Sequence, residues 1–137
     1  MNWDWLRNLL FQSPNDPDKP DPLGPRGENA AAKHLRALGY KILVRNYRCK
    51  LGELDIIARD GKTLVFVEVK TRTNEDPEPE EQVNAHKRRQ ITKCAEFYLS
   101  RYSNVQPAAR FDIVAIVWPR NQPPVVRHHV DAFPAER

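Results

Sequence analysis

The sequence predicts an α/β (α+β) fold: one mixed sheet covered by helices, in the order α, β, β, β, α, β, with a weak final strand. Three observations carry this expectation. Apolar residues recur at helical spacing near residues 26–38 and 83–101. Between these segments lie β-rich runs separated by tight-turn signals. A further apolar run, Phe111 to Trp118, reads as a buried strand.

The chain opens on Trp3, Trp5, Leu6, Leu9, Leu10 and Phe11, broken by Asp4, Arg7 and Asn8, a pattern compatible with a short amphipathic helix. Pro14, Pro17, Pro20, Pro22 and Pro25 then remove backbone donors among Asp and Asn, which reads as a linker. Residues 1–25 are therefore expected to form an apolar segment plus linker, and residues 26–133 the domain. Ala31, Leu35 and Leu38 mark the apolar stripe of the first helix, Glu28 continues it one turn earlier, and Gly39 stands where a C-cap glycine would. Tyr40 to Cys49 reads as a strand, followed by a turn at Leu51-Gly52. Leu54 to Arg59 and Thr63 to Thr71 read as a hairpin around Asp60-Gly61. Residues 74–81, acidic and proline-bearing, suit a loop and the first turn of a helix that runs to about Arg101, with the stripe Val83, Ile91, Cys94 and Tyr98. An edge strand is expected near Val125 to Val130.

A chain of 137 residues has room for one such domain and no second catalytic one. No apolar run approaches the ~20 residues that span a bilayer, and the start lacks the pattern of a signal peptide, so a cytoplasmic location is expected. Cys49 and Cys94 are too far apart in sequence for a metal knuckle and too few for a disulfide scaffold, so they read as reduced thiols. The net charge is +4, and after Pro25 there are 20 Lys and Arg against 14 Asp and Glu, a balance that favours a polyanionic partner.

Strand parity singles out charges in unusual places. In Val65-Phe66-Val67-Glu68-Val69-Lys70 the valines share one face, and Phe66, Glu68 and Lys70 share the other. Asp55 likewise shares its face with Ile57. Burying such carboxylates costs several kcal/mol unless they are paired or bind a cation. With Asp60-Gly61 as a two-residue loop, Arg59 would pair with Lys62, Asp55 would face Phe66, and Glu53 would face Glu68. Asp55 and Glu68 would then be diagonal neighbours, about 7 to 8 Å apart at Cα, close enough to converge on one ion. Glu28 would approach them from the first helix; the plain alternative for it is an exposed helix-start glutamate, and for the strand group a cross-strand salt-bridge network. Carboxylate ligands select Mg²⁺ or Mn²⁺, ions that serve phosphoryl chemistry, and Lys70 could stabilise developing charge or hold the attacking water.

These residues stand in blocks that resemble a known family. GENAAAKHLRALGYKIL, NYRCKLGELDIIARDGKTLVFVEVKTR and RFDIVAI are similar to the YraN-like family of predicted endonucleases, over about residues 26–133. The resemblance implies the restriction-endonuclease-like PD-(D/E)xK fold and a likeness to Holliday-junction resolvases. It further implies that Glu28 matches the first-helix glutamate, Asp55 and Glu68 the two signature acids, and Lys70 the signature lysine. Leu54 replaces the signature proline, a departure shared by many proteins of the wider fold.

Arg48, Lys50, Lys87, Arg88, Arg89 and Lys93, with His86, are candidates for phosphate contact, and Tyr47 for base stacking. Lys87 also falls on the apolar stripe of its helix, a position that would aim it at the site. Asp112 is expected to pair with Arg110 or act as a cap, and the adjacent His128 and His129 to point to opposite faces. The expected function is metal-dependent cleavage of structured or branched DNA, with a non-catalytic nucleic-acid-binding module as the alternative. An adaptor held to a partner or membrane by residues 3–11 is a third reading. Junction cutting would need two active sites facing two strands, which is compatible with a homodimer.

Overall fold

The computed structural model describes residues 23–75 and 78–137, so the apolar segment at residues 3–11 and most of the expected linker lie outside the described residues. Helix α1 spans Leu23–Ala37 and begins inside the stretch read as linker. Pro25 is accommodated there because the first turn of a helix has no use for its missing N–H. The helix ends as Gly39 implies. At φ +89°, the Gly39 amide donates to the Arg36 carbonyl (2.9 Å) and the Tyr40 amide to that of Leu35 (3.0 Å), the Schellman pattern. Leu38, expected on the buried stripe, sits where the helix unwinds and is 53% exposed.

Five strands follow, β1 (Lys41–Cys49), β2 (Gly52–Asp60), β3 (Thr63–Arg72), β4 (Ala109–Val117) and β5 (Val125–Phe133), with α2 (Ala85–Leu99) between β3 and β4. They form one mixed sheet in sequential order. β1, β2 and β3 are an antiparallel meander, α2 crosses over to make β4 parallel to β3, and β5 returns antiparallel. One helix covers each face. Ala31, Ala32 and Leu35 of α1 pack on Ile56, Val65, Val67, Val114 and Ile116. Ile91, Cys94, Ala95 and Tyr98 of α2 pack on Ile57, Phe66 and Phe111. The β3 valines thus face α1 while Phe66 faces α2, as parity requires.

Two expectations need correction. Asp60 pairs with Thr63, so the hairpin loop is Gly61-Lys62 and not Asp60-Gly61. Gly61, at φ +60°, supplies the positive φ of a tight hairpin from the first loop position. The acidic residues, moreover, do not begin the second helix. Pro79–Gln82 form a separate 3₁₀ turn, and α2 starts at Ala85 because the Asn84 side chain caps it, accepting from the Lys87 amide. The turn is held to the sheet by Arg72, which donates to Gln82, and by Arg127, which donates to Glu80 (2.8 Å).

β5 is longer than the short edge strand expected, running three residues further. Both outer strands are irregular. β1 slips register between Ile42 and Val44 and carries Asn46 at φ 53°, and β4–β5 slips between Phe111 and Ile113, beside Asp131 at φ 52°. Among the described residues no helix is long and apolar enough to cross a membrane.

Candidate active site

The β2–β3 ladder runs from Asp60↔Thr63 to Ile56↔Val67 and stops there. At the next position the Asp55 carboxylate accepts the Val69 amide hydrogen at 2.8 Å, taking the place of a main-chain partner. The strands fork at this point, with Asp55 in the fork. Continuing the register by one pair sets Asp55 opposite Glu68, whereas Glu53 faces Arg48 on the β1 side and meets it at 3.4 Å. Glu68 is only 6% exposed. It shares a hydrogen bond with Asp55 and meets the Lys87 ammonium of α2 at 3.5 Å.

Glu28 arrives from α1, which lies directly on β3 at this end. Gly27 permits the approach: a Cβ there would fall 1.8 Å from the Thr71 hydroxyl oxygen. Glu28, Asp55 and Lys70 consequently line one cavity of about 340 Å³, bounded by Leu23, Gly24 and Pro25 on one side and Val69, Thr71 and Arg72 on the other. Gly27 was not singled out in the sequence, where it reads only as the residue before a glutamate.

The electrostatics follow from this crowding. Burial, and then the negative charge of Asp55, push the Glu68 carboxyl up to about 8, more than Lys87 offsets. Burial also raises Asp55, against the lowering effect of the Val69 amide and the Glu68 hydrogen bond. Glu68 and Asp55 thus share a hydrogen bond, with the Lys87 ammonium of α2 beside Glu68. Glu28 is raised by burial and by Asp55, and Arg45 compensates only in part. One Glu28 oxygen is buried without a hydrogen-bond partner, as is the Arg45 Nε, although another Arg45 nitrogen donates to Asn29 at 2.9 Å.

A family model described as "Uncharacterised protein family UPF0102" matches residues 27–116, a span that contains all of these side chains. The chain belongs to this family, the YraN-like group. Proteins carrying the UPF0102 name include one from Geotalea daltonii, 50% identical over 112 residues, which are 81% of this chain and 88% of the relative. One from Geobacter sulfurreducens is 49% identical over the same shares. One from Chlorobium limicola is 44% identical over 120 residues, 83% of this chain and 93% of its own.

Within this UPF0102 chain the remaining candidates separate into two kinds. Lys70 is half-buried on the cavity wall and makes no ion pair with Asp55 or Glu68 among the described residues. Arg48, Lys50, Arg89 and Lys93 are exposed. Arg88 turns inward: it donates to the Val83 carbonyl at 2.8 Å, pairs with Glu136 and lies over the Phe133 ring. Tyr47 packs edge-on against Tyr98 with ring centroids 5.3 Å apart, so its ring is part of the α2-side core. Asp112 pairs with Arg110 as expected. His128 and His129 face opposite ways, the first to Asp112 (2.8 Å) and His34 (3.2 Å), the second to Glu80 (3.1 Å).

Among the described residues no three His, Cys, Asp or Glu side chains converge closely enough to hold an ion as a set. Mg²⁺ does not require that, since it keeps several waters and binds through one or two carboxylates plus substrate phosphate. The oxygen-only donor pair Asp55 and Glu68, with the partnerless oxygen of Glu28 on the cavity that Asp55 also lines, suits such an ion.

Proposed function

We propose that this protein is a divalent-metal-dependent endonuclease of the PD-(D/E)xK type, cutting the phosphodiester backbone of structured or branched DNA. The observation that carries the proposal is the Asp55–Glu68 pair at the strand fork: two carboxyls hydrogen-bonded to each other, beside a third, Glu28, one of whose oxygens is buried without a partner. A purely structural arrangement would satisfy these groups, because each unpaired buried charge costs several kcal/mol. A cation bound among them would relieve all three.

Asp55 and Glu68 would hold Mg²⁺ or Mn²⁺, with Glu28 acting from across the cavity. When bound, the ion polarises a phosphate oxygen and lowers the pKa of water. Lys70, on the cavity wall, would orient water or steady charge on the phosphate, and Lys87 would favour the ionised form of Glu68. Arg48, Lys50, Arg89 and Lys93 would hold backbone phosphates, which positions nucleic acid without reading its sequence. Preference for branched DNA, and a homodimer that faces two strands, rest on the family likeness.

The test is cleavage of labelled duplex, single-stranded, flap and four-way-junction DNA with Mg²⁺ or Mn²⁺, by the wild type and by Asp55→Ala and Lys70→Ala. Cutting that disappears in both variants while folding and DNA binding persist supports the nuclease. Salt-sensitive binding without cutting on any substrate supports a non-catalytic nucleic-acid-binding module instead.

A further inference from the structure

The chain contains two cysteines, separated by 44 residues in sequence, and the fold brings them together. Cys49, at the end of β1, and Cys94, on the buried face of α2, have their sulfurs 3.4 Å apart. Both are free thiols, Cys49 half-buried and Cys94 buried. Neither lines the cavity that holds Glu28, Asp55 and Lys70; both pack in the core beneath α2.

We propose that Cys49 and Cys94 form an oxidation site, at which a peroxide converts the two thiols into a reversible disulfide that ties α2 to the β1–β2 hairpin. A disulfide has S–S near 2.0 Å, so the sulfurs need to close by about 1.4 Å. Accessibility sets the order of events. Cys49 is the more exposed sulfur, whereas burial and the contact with Cys49 push the Cys94 thiol up to about 12. The Cys49 sulfur attacks the peroxide, the O–O bond breaks, and the products are a Cys49 sulfenic acid and one water. The Cys94 sulfur then displaces the oxygen from Cys49; the S–S bond forms, the S–O bond breaks, and the oxygen leaves as a second water with the Cys94 proton. Two thiols lose two electrons and two protons, and the peroxide takes up both.

The ring so closed, from residue 49 to residue 94, contains Asp55, Glu68, Lys70 and Lys87. It would fix the helix that presents Lys87 to Glu68. The oxidation site depends on no particular activity of the protein.

The full chain, reduced and then treated with graded hydrogen peroxide, is quenched with N-ethylmaleimide and analysed by intact mass, peptide mapping and non-reducing electrophoresis. The expected product is a monomer lighter by two hydrogens, carrying no maleimide, with peptides containing Cys49 and Cys94 linked and both thiols restored by dithiothreitol. Its melting temperature should exceed that of the reduced form by roughly 5 to 10 °C. In Cys94→Ser, Cys49 should go on to sulfinic acid or pair between molecules; Cys49→Ser, at the more exposed position, should leave Cys94 alkylatable after unfolding. Persistence of both thiols, overoxidation of wild-type Cys49, disulfide-linked dimers, or an unchanged melting temperature in the linked monomer would each overturn the proposal.

Discussion

Two groups of buried acids lie on the same sheet and are treated in opposite ways. Asp112 on β4 is fully buried, yet it accepts from Arg110 (3.0 Å), from the Asp131 amide (2.9 Å) and makes a 2.8 Å contact with His128. Burial alone would raise its carboxyl, but these hydrogen bonds hold it below the usual range. Arg110 also reaches Asp60 and Tyr40, so every charge in that network has an answer. On the neighbouring β3 and on β2 beyond it, Glu68 and Asp55 share a hydrogen bond, with the Val69 amide on Asp55 and Lys87 beside Glu68, and burial still raises both. Asp112 is fully buried, Glu68 nearly so and Asp55 half-buried, but the difference that decides their charge lies in their supply of donors. A network that supplies every donor fixes the structure, whereas one with fewer donors leaves its carboxyls destabilised, the condition that the proposed cation would relieve.

The sharpest way to break this comparison is catalytic. Asp55→Ala or Lys70→Ala should reduce DNA cleavage by at least about a thousandfold, read from initial rates, with the melting temperature nearly unchanged for Asp55→Ala. Asp112→Ala should do the reverse and cost about 3 to 5 kcal/mol in urea unfolding, because His128, the Asp131 amide and part of the Arg110 fork would all lose their acceptor at a fully buried position. If Asp55→Ala destabilised the chain as much as Asp112→Ala, the site would be structural.

Gly27→Ala should cost about 1 to 3 kcal/mol, since its new methyl falls on Thr71 and must push α1 from β3; cleavage should fall with it as Glu28 moves. Thr71→Ser, which retains the offending hydroxyl, should not rescue it, whereas Thr71→Gly should.

The pH dependence of stability separates the regions next. Glu68 holds its proton more tightly folded than unfolded, so its contribution is present below pH 4.5 and lost as pH rises toward about 8. Glu68→Gln should flatten that decline, and Mg²⁺ should raise the melting temperature at pH 8 in the wild type but not in Asp55→Ala. The smallest effect is on the acid side. Glu80, held near 2 chiefly by the Arg127 hydrogen bond, contributes stability above pH 4.5 that is lost as pH falls toward about 2, and Glu80→Gln should blunt that acid limb.

Much of this contrast is visible in the sequence, because a period of two places Glu68 with Phe66, and Asp55 with Ile57, on an apolar face. The prolines and Gly39 likewise mark where α1 can start and stop. What parity cannot supply is register. Moving the loop from Asp60-Gly61 to Gly61-Lys62 leaves every face unchanged, yet it turns Asp55 from a diagonal neighbour of Glu68 into its opposite number. The inward turn of Arg88 was hidden because its partners, Val83 and Glu136, come from a turn and the chain end, whose positions no local period fixes. The role of Gly27 was hidden for the same reason: a missing side chain matters only against the particular atom it makes room for.

The irregular outer strands have a bearing on self-association. A flat, regular edge offers its free amides and carbonyls as a template on which another copy can add a strand, the usual start of uncontrolled stacking. Here the register slip between Ile42 and Val44 with the positive-φ Asn46 on β1, and the slip beside Asp131 on β5, interrupt both rims. Two copies of this chain are thereby steered away from zipping rim to rim, which favours helix or loop surfaces for any pairing between them.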